Sequence, residues 1–468
     1  MGTFLPSAAR KPVIALTGAV LLLAGSLLSA SLRSSSAPRL RMEGIAESPC
    51  DPFSVLAVPA GTGGSYHADS GVLLTPGGAY GPSLRKLPAT ILNSCVRAAT
   101  RADKQWLRSG QVPGQTGQQR EMATRALLDL RLSVLPDGAV IAGWSPGWHY
   151  SWPRDSSWVA VALAETGHLQ EAFSILSFLQ RVQPRSGIWA ARYKADGRPV
   201  LDGRPDELDA DGWVPWAVWS WWAAARDSAE RQARLQLDRL WPMVLTAADA
   251  SARSLTEDGL PIPAMDYWED SIQVTLGTAA PLLAGLRAAA DIAVEVGDRT
   301  KARTWTRAAA RLSTGIAEGF GRYGFPRTPF SYSGMDASIA FLGPPFGQAD
   351  AGIRRAASLA QSLLLEPDGG LRPGTAWPGT PEVAWTAETA AFALFDSLIG
   401  QDSLSARWLS WLAAHRTRLG EFPEQVNANG DAASVAPLAW TDAVVLLILV
   451  SQEHQLPAIP TPGHEPRV

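Results

Sequence analysis

Two glutamates far apart in the chain are the residues best suited to acid–base chemistry. Glu269 ends the segment Asp266-Tyr-Trp-Glu, beside two aromatic residues, whereas Glu424 is followed by Gln425 and Asn427. A carboxyl group among aromatic side chains is desolvated and favours its protonated form, while polar neighbours hold a carboxylate ionised. One carboxyl group of each kind is what acid–base hydrolysis of a glycosidic bond requires. Together with the arginine–carboxylate pair Arg154-Asp155 and the many tryptophans, the two acids suggest glycoside hydrolysis, with Glu269 as the candidate general acid and Glu424 as the candidate general base.

Each of these signals also fits a purely structural role. Acidic residues are favoured in the first turn of a helix, so Asp266 and Glu269 also fit a plain helix start. Glu424 alone fits a surface loop, and the pair Arg154-Asp155 fits an ion pair that caps a helix. The chain also contains 19 tryptophans, whose flat faces suit both helical cores and stacking on sugar rings. The core is the default explanation for most of these tryptophans, and the combination of signals favours a sugar-processing site.

Composition excludes several other classes of protein. The chain has 468 residues and a formal net charge of −3, so no basic excess indicates a nucleic-acid partner. Its hydrophobic content of 46% is enough for a large core, in one large catalytic domain or two ordinary ones. Two cysteines and six scattered histidines have no zinc-site spacing, and no glycine-rich phosphate loop is present. We expect neither a metal nor another cofactor.

The N-terminal 41 residues have the pattern of a targeting segment. Arg10 and Lys11 precede Val13–Leu32, an uncharged run long enough to span a bilayer. This pattern predicts export, either as a secreted protein after cleavage or anchored to the outer face of the cytoplasmic membrane by residues 13–32. Cys50 and Cys95 follow this segment. In an exported protein they form one disulfide or remain two free thiols.

The spacing of apolar residues predicts a large all-α domain. After a lead-in segment at 42–98 with a few short strands, residues 99–453 form the helical domain, and 454–468 form a C-terminal tail. Helical periodicity is present at 119–134, 155–167, 169–183, 211–226, 231–256, 271–297, 300–318, 336–342, 349–365, 383–399, 402–417 and 439–453. Twelve helices paired as consecutive hairpins close into a double ring, an (α/α)6 barrel. A helical solenoid fits the periodicity as well, although the sequence has no fixed-period repeat.

Three motifs resemble those of glycoside hydrolase family 15, the glucoamylase family. Trp152-Pro-Arg-Asp155 resembles its Trp-x-Arg-Asp loop, and Asp266-Tyr-Trp-Glu269 resembles its Asp-x-Trp-Glu segment, which carries the general acid. Pro423-Glu-Gln425 resembles the Glu-Gln segment of the general base. Together with Met335-Asp-Ala-Ser338, which resembles a segment of bacterial members, they occur in the family's order and lie between residues 138 and 443.

The resemblance implies the six-hairpin (α/α)6 fold and a set of sugar-binding residues. In the family the arginine and the aspartate of the first motif hold hydroxyl groups of the terminal glucose, and aromatic residues line the same subsite. The substrate-binding residues implied here are Trp148, Tyr150, Trp152, Arg154, Asp155, Asp266, Trp268 and Arg372. Arg372 is the loosest match, because the loop around it differs in sequence.

The activity implied by the resemblance is that of an exo-acting, inverting α-glucosidase. It would release β-glucose from the non-reducing ends of α-1,4- or α-1,6-linked gluco-oligosaccharides. We expect a catalytic domain without the N-terminal β-sandwich or the starch-binding domain of many relatives, which argues against long-chain starch as the substrate. The loop Trp189–Glu207 has little that matches the family, and its charged residues fit a solvated surface. An α,α-trehalase-type hydrolase and a non-catalytic carbohydrate-binding protein on the same scaffold are the alternatives.

Overall fold

The computed structural model describes Gly2, residues 38–81, residue 84 and residues 87–460. The apolar run 13–32 and residues 461–468 of the expected tail lie outside the described residues. Within the described part of the chain, Leu276–Glu295 is the one helix long and apolar enough to cross a membrane. It is 83% buried within the fold, as expected for a helix of the protein core.

Helices dominate the described residues. The α-helices are α1 (Ala89–Ser109), α2 (Gly117–Ser133), α3 (Pro153–Glu165), α4 (Leu169–Val182), α5 (Ala210–Arg253), α6 (Leu276–Glu295), α7 (Arg299–Gly319), α8 (Ala351–Leu364), α9 (Thr386–Leu398), α10 (Asp402–Ala414) and α11 (Ala439–Ser451). Two 3₁₀ helices, Gly321–Tyr323 and Ala337–Leu342, lie between α7 and α8.

Six helical segments form a closed inner ring. Going round the ring, α3 contacts α5, α5 contacts α6, α6 contacts the 3₁₀ helix Ala337–Leu342, this helix contacts α9, α9 contacts α11, and α11 returns to α3. Most residues of α3, α9 and α11 are buried, because these helices are surrounded on all sides. Such helices are apolar around their whole circumference.

A second set of helices packs outside this ring. Helix α2 contacts α11, α4 contacts α3, α7 contacts α6, α8 contacts the 3₁₀ helix Ala337–Leu342, and α10 contacts α9. The second half of α5 completes the set. These helices bury one face only, as α7 does with Ala302, Trp305, Ala309 and Leu312 at helical spacing. The double ring of paired helices confirms the predicted all-α architecture.

Two helical boundaries differ from the expectation. The sequence predicts separate helices at 211–226 and 231–256, whereas α5 runs unbroken from Ala210 to Arg253. The linking residues 227–230 have the sequence Asp-Ser-Ala-Glu, with neither glycine nor proline, so nothing in them ends a helix. Helix α1 begins at Ala89, inside the segment 42–98 that was expected to be a lead-in with short strands.

A small mixed sheet joins residues 40–59 to the barrel. Strands β1 (Leu40–Ser48) and β2 (Asp51–Pro59) form an antiparallel pair. Strands β3 (Ser65–Tyr66), β4 (Leu73–Thr75) and β5 (Gly78–Ala79) form a separate antiparallel sheet. The edge of β1 opposite β2 pairs in parallel with β8 (Ala432–Val435), which continues through β7 (Gln425–Val426) to β6 (Ala384–Trp385). Cys50 and Cys95 form a disulfide that fastens the turn after β1 to α1.

Candidate active site

One end of the inner ring opens into a cavity of about 300 Å³. Part of its wall is formed by the first turns of inner helices, which contain Arg154 in α3, Glu388 in α9 and Trp440 in α11. The free N–H groups at helix starts make this end of the ring favourable for anionic side chains. The lining residues are Ala142, Gly147, Trp148, Trp152, Arg154, Asp155, Arg192, Arg204, Tyr267, Trp268, Glu269, Pro373, Trp377, Trp385, Ala387, Glu388, Glu424, Leu438 and Trp440.

Glu269 reaches the cavity from a tight turn. The sequence predicted a helix start at this point, but α6 begins only at Leu276, with Thr275 as its N-cap. The turn is closed by the Glu269 N–H, which donates to the Asp266 carbonyl at 2.8 Å. Glu269 has a φ of 52°, which is uncommon for a residue other than glycine. Backbone strain of this kind concentrates at functional sites, where it aims a side chain.

Both carboxylate oxygens of Glu269 are engaged. The indole N–H of Trp152 donates to Oε1 at 2.8 Å, and the Arg204 guanidinium forms an ion pair with Oε2. A second guanidinium, that of Arg154, lies 4.0 Å from Oε1. The sequence predicted apolar surroundings that would favour the protonated acid. The aromatic residues are present, but the structure adds two cations that favour the ionised form.

Glu424 lines the same cavity and is almost completely buried. The Trp148 indole N–H donates to its Oε1 at 2.9 Å, and the Ser434 hydroxyl donates to its Oε2. Burial raises the pKa of Glu424, and the hydrogen bonds from Ser434 and Trp148 oppose this shift. Gln425 and Asn427 were expected to hold the carboxylate, but the Asn427 side chain instead accepts from backbone N–H groups of its own turn.

Arg154 and Asp155 line the cavity from the start of α3. The Arg154 guanidinium donates to Glu207 at 2.5 Å and to Asp209 at 3.4 Å, and it lies 3.7 Å from Asp155. These acids hold the pKa of Arg154 above its usual range despite burial. Burial raises the pKa of Asp155 to about 6, against the opposing charge of Arg154. The pair is therefore part of a buried network and more than a helix cap.

Three of the predicted sugar-binding residues do not line the cavity. Tyr150 lies behind Trp152, with their ring centroids 6.1 Å apart. Asp266 is fully buried, where it pairs with Arg327 at 2.9 Å and accepts from the Trp268 N–H at 3.1 Å. It therefore supports the turn that carries Glu269.

Arg372 is the third predicted sugar-binding residue that does not line the cavity. Its Nε lies 3.4 Å from Glu366, and its side chain is about a third exposed. The neighbouring Pro373 lines the cavity in its place. The loop around Arg372 was also the weakest of the motif matches.

Several cavity residues were not found from the sequence. No family motif surrounds Glu388, which stands within a largely apolar helical segment. Burial raises the pKa of Glu388 to about 8, and the nearby Glu424 adds to this shift. Its Oε2 is buried without a hydrogen-bond partner. Arg192 and Arg204 belong to the loop 189–207 that was interpreted as solvated, whereas both line the cavity.

Comparison with known proteins identifies the fold as the (α/α)6 barrel of the glucoamylases. A bacterial glucoamylase in complex with acarbose superposes with a TM-score of 0.65 at 17% identity, covering 80% of this chain and 61% of that one. The glucoamylase of Saccharomycopsis fibuligera gives 0.60 at 14% identity, over 74% and 99% of the chains. A structure described as a glycosidase in complex with glucose gives 0.63 at 20% identity, over 74% and 100%.

The sequence comparison gives a distant relative. The uncharacterized glycosyl hydrolase MJ1610 of Methanocaldococcus jannaschii is 24% identical over 356 residues, which are 70% of this chain and 55% of the relative. The chain thus spans about half the length of that curated protein. No family model matches the sequence.

Proposed function

We propose that this protein is a glycoside hydrolase of the glucoamylase type, related to glycoside hydrolase family 15. Its activity is that of an exo-acting, inverting α-glucosidase that releases β-glucose from the non-reducing ends of α-linked gluco-oligosaccharides. The observation that carries this proposal is the placement of Glu269 and Glu424 in one cavity, although they are far apart in sequence. The relatives named above are glycosidases, and two of them were solved with glucose or acarbose bound.

The two carboxyl groups divide the work of an inverting hydrolysis. Glu269 donates a proton to the glycosidic oxygen while Glu424 removes a proton from the attacking water on the opposite face of the sugar. The Trp148 and Ser434 donors stabilise the ionised form of Glu424 that a base requires. Trp152 fixes the position of the acid through its indole N–H.

The walls of the cavity suit one terminal sugar. A volume of about 300 Å³ lies at the lower end of the range of ligand cavities, roughly 300–1,000 Å³. The tryptophans supply faces for stacking, and Arg154 and Asp155 supply hydrogen bonds to hydroxyl groups. A small cavity at one end of the ring favours attack at chain ends over attack within a long chain.

The test is incubation of purified protein from residue 38 onward, which retains the whole of β1, with maltose, isomaltose, trehalose and soluble starch. NMR recorded during the first minutes identifies the released anomer. We expect β-glucose from at least one disaccharide and slow release from starch. Release of α-glucose would contradict inversion, and the absence of hydrolysis with all four sugars would contradict the proposal.

We also propose that the protein is exported, with residues 13–32 as a signal peptide or an anchor. The basic residues before this run support the proposal, and so does the Cys50–Cys95 disulfide, since such bonds persist in oxidising compartments. Fractionation of cells that express the full chain tests it. Protein recovered only from the cytoplasm with reduced cysteines would contradict it.

A further inference from the structure

Both carboxylate oxygens of Glu269, the proposed general acid, have partners. Oε1 accepts from the Trp152 indole N–H, and Oε2 is paired with Arg204. A general acid must be protonated when it meets the glycosidic oxygen. An arginine side chain stays charged and donates only, so Arg204 at Oε2 favours the ionised carboxylate and opposes its protonation. Movement of Arg204 away from Oε2 would therefore favour the protonated acid.

Arg204 is held less firmly than the other arginines of the site. Its side chain is 41% exposed, against 6% for Arg154 and 8% for Arg192. It also shares its second partner, because both Arg192 and Arg204 pair with Asp202. Burial lowers the pKa of Arg204, and the charge of Arg192 lowers it further. The two like charges disfavour the position that Arg204 now occupies.

The backbone next to Arg204 leaves room for the side chain to move. Gly203 has a φ of 84° and open space where a side chain would lie. The neighbouring Leu201 is 91% exposed. Arg192, in contrast, lies over the rings of Tyr150 and Trp152, with its guanidinium 4.9 and 5.2 Å from their centroids. Of the two arginines, Arg204 is the one whose side chain has room to move.

We propose that Arg204 is a positioning residue for the general acid. In the arrangement of the structure it holds Glu269 as a carboxylate, and when substrate enters it moves to the hydroxyl groups of the leaving sugar. Glu269 then takes up its proton in the presence of substrate. This inference rests on the proposed function, and it assigns to the loop 189–207 a role in the acid step.

Other charged groups around the cavity come from several elements. They are Arg154 and Asp155 on α3, Arg192 and Asp202 in the loop, Glu207 and Asp209 before α5, Glu388 on α9 and Glu424 before β7. Arg154 pairs with Glu207 and Asp209, whereas Arg204 pairs with Asp202 and Glu269. Movement of Arg204 would therefore change the charge next to Glu269 without breaking the ion pairs of Arg154 with Glu207 and Asp209.

The experiment compares pH–rate profiles of wild type and Arg204→Gln, with the disaccharide that wild type hydrolyses fastest. The alkaline limb of kcat/KM reports the acid in the free enzyme, and that of kcat reports it in the complex. In wild type we expect the kcat/KM limb to lie at lower pH by about one unit, a tenfold difference in proton affinity. In Arg204→Gln we expect the kcat/KM limb to move up to the kcat limb. Arg204→Lys should restore most of the separation, because it keeps the charge.

Two controls distinguish this inference from a structural effect. Arg198→Gln changes an exposed arginine of the same loop, which pairs with Asp196 at 2.7 Å, and should leave both limbs unchanged. With α-glucosyl fluoride, whose leaving group needs no proton, Arg204→Gln should leave the alkaline limb where wild type has it. Coincident limbs in wild type, or identical profiles for wild type and Arg204→Gln, would overturn the inference. A wild-type protein that hydrolyses neither the disaccharides nor the fluoride would instead overturn the proposed function.

Discussion

The two sides of the cavity hold their carboxyl groups in different ways. Glu424 belongs to the sheet side, where its N–H donates to Val435 at 2.8 Å and its carbonyl accepts from Thr386 at 3.1 Å. Its side chain is fixed by two neutral donors. Glu269 lies on a strained turn and faces a charged, partly exposed loop. Glu424, the proposed base, is thus held by the hydrogen bonds of the sheet, whereas Glu269, the proposed acid, pairs with a partly exposed arginine of the loop.

This difference suits the two tasks. A general base must be ionised and correctly placed when the water attacks, and fixed neutral donors such as Trp148 and Ser434 favour that state. A general acid must be protonated at the same moment, so a cationic neighbour that can move away from it is useful there. Mutations on the sheet side should therefore affect every substrate equally, whereas mutations on the loop side should affect only substrates whose leaving group needs a proton.

The largest effect is expected for Glu424→Ala. Loss of the base leaves the attacking water without a proton acceptor, and general acid–base steps typically contribute about 10²–10⁴-fold. Rates for the best disaccharide and for α-glucosyl fluoride should both fall by at least about a hundredfold, measured as kcat/KM at the pH optimum. A loss below tenfold on either substrate would contradict the role of the base.

Glu269→Gln should be as damaging for the disaccharide and much milder for the fluoride. The amide keeps the shape and the Trp152 hydrogen bond but has no proton to give. We expect a loss of about 10²–10⁴-fold on the disaccharide. Equal losses on both substrates would show that this side does not supply the acid and would remove the contrast between the two sides.

Asp155→Asn tests the part of the cavity wall that is formed by the first turn of α3. The substitution keeps the size of the side chain and weakens a charged hydrogen bond to the terminal sugar, at a cost of about 1–3 kcal/mol. This corresponds to a fall in kcat/KM of roughly 5- to 150-fold on both substrates. Arg154→Ala is the matched contrast, because it strands Glu207 and Asp209 in the interior and should also destabilise the fold by about 3–5 kcal/mol. Chemical denaturation measures that difference, and unchanged kcat/KM in Asp155→Asn would contradict the proposed hydrogen bond between Asp155 and the sugar.

The sequence predicted the fold and the placement of Glu269 and Glu424 in one cavity for clear physical reasons. Helical periodicity and turn residues are local signals, so the ring of helices could be predicted from them. Glu269 and Glu424 lie in motifs that resemble those of a known family. No local signal marks Arg204 or Glu388, because their place in the cavity depends on residues that are distant in the sequence. Arg372 shows the reverse case, since a position near a motif does not determine where a side chain points.

Glu388 makes a smaller contribution, which concerns the stability of the folded protein and depends on pH. Burial raises its pKa in the folded protein to about 8, above the value of an exposed glutamate. The folded state therefore binds this proton more tightly than the unfolded state, so the stabilisation is present at low pH and is lost as pH rises towards 8. We expect Glu388→Gln to gain stability relative to wild type between pH 5 and pH 8, by on the order of a few kcal/mol at most. Thermal unfolding at both pH values measures it, and a constant difference in Tm would contradict the shifted pKa.

The smallest and sharpest test compares Trp148→Phe with Trp152→Phe. Each substitution keeps an aromatic wall and removes one indole N–H, which donates to Glu424 in the first case and to Glu269 in the second. A single hydrogen bond of this kind contributes about 0.5–1.5 kcal/mol, or roughly 2- to 10-fold in rate. Trp148→Phe should slow the disaccharide and the fluoride alike, because the water needs its base with either substrate. Trp152→Phe should slow the disaccharide more than the fluoride, because only the disaccharide needs the acid. The same ratio of the two rates in both variants would mean that the cavity does not divide into an acid side and a base side.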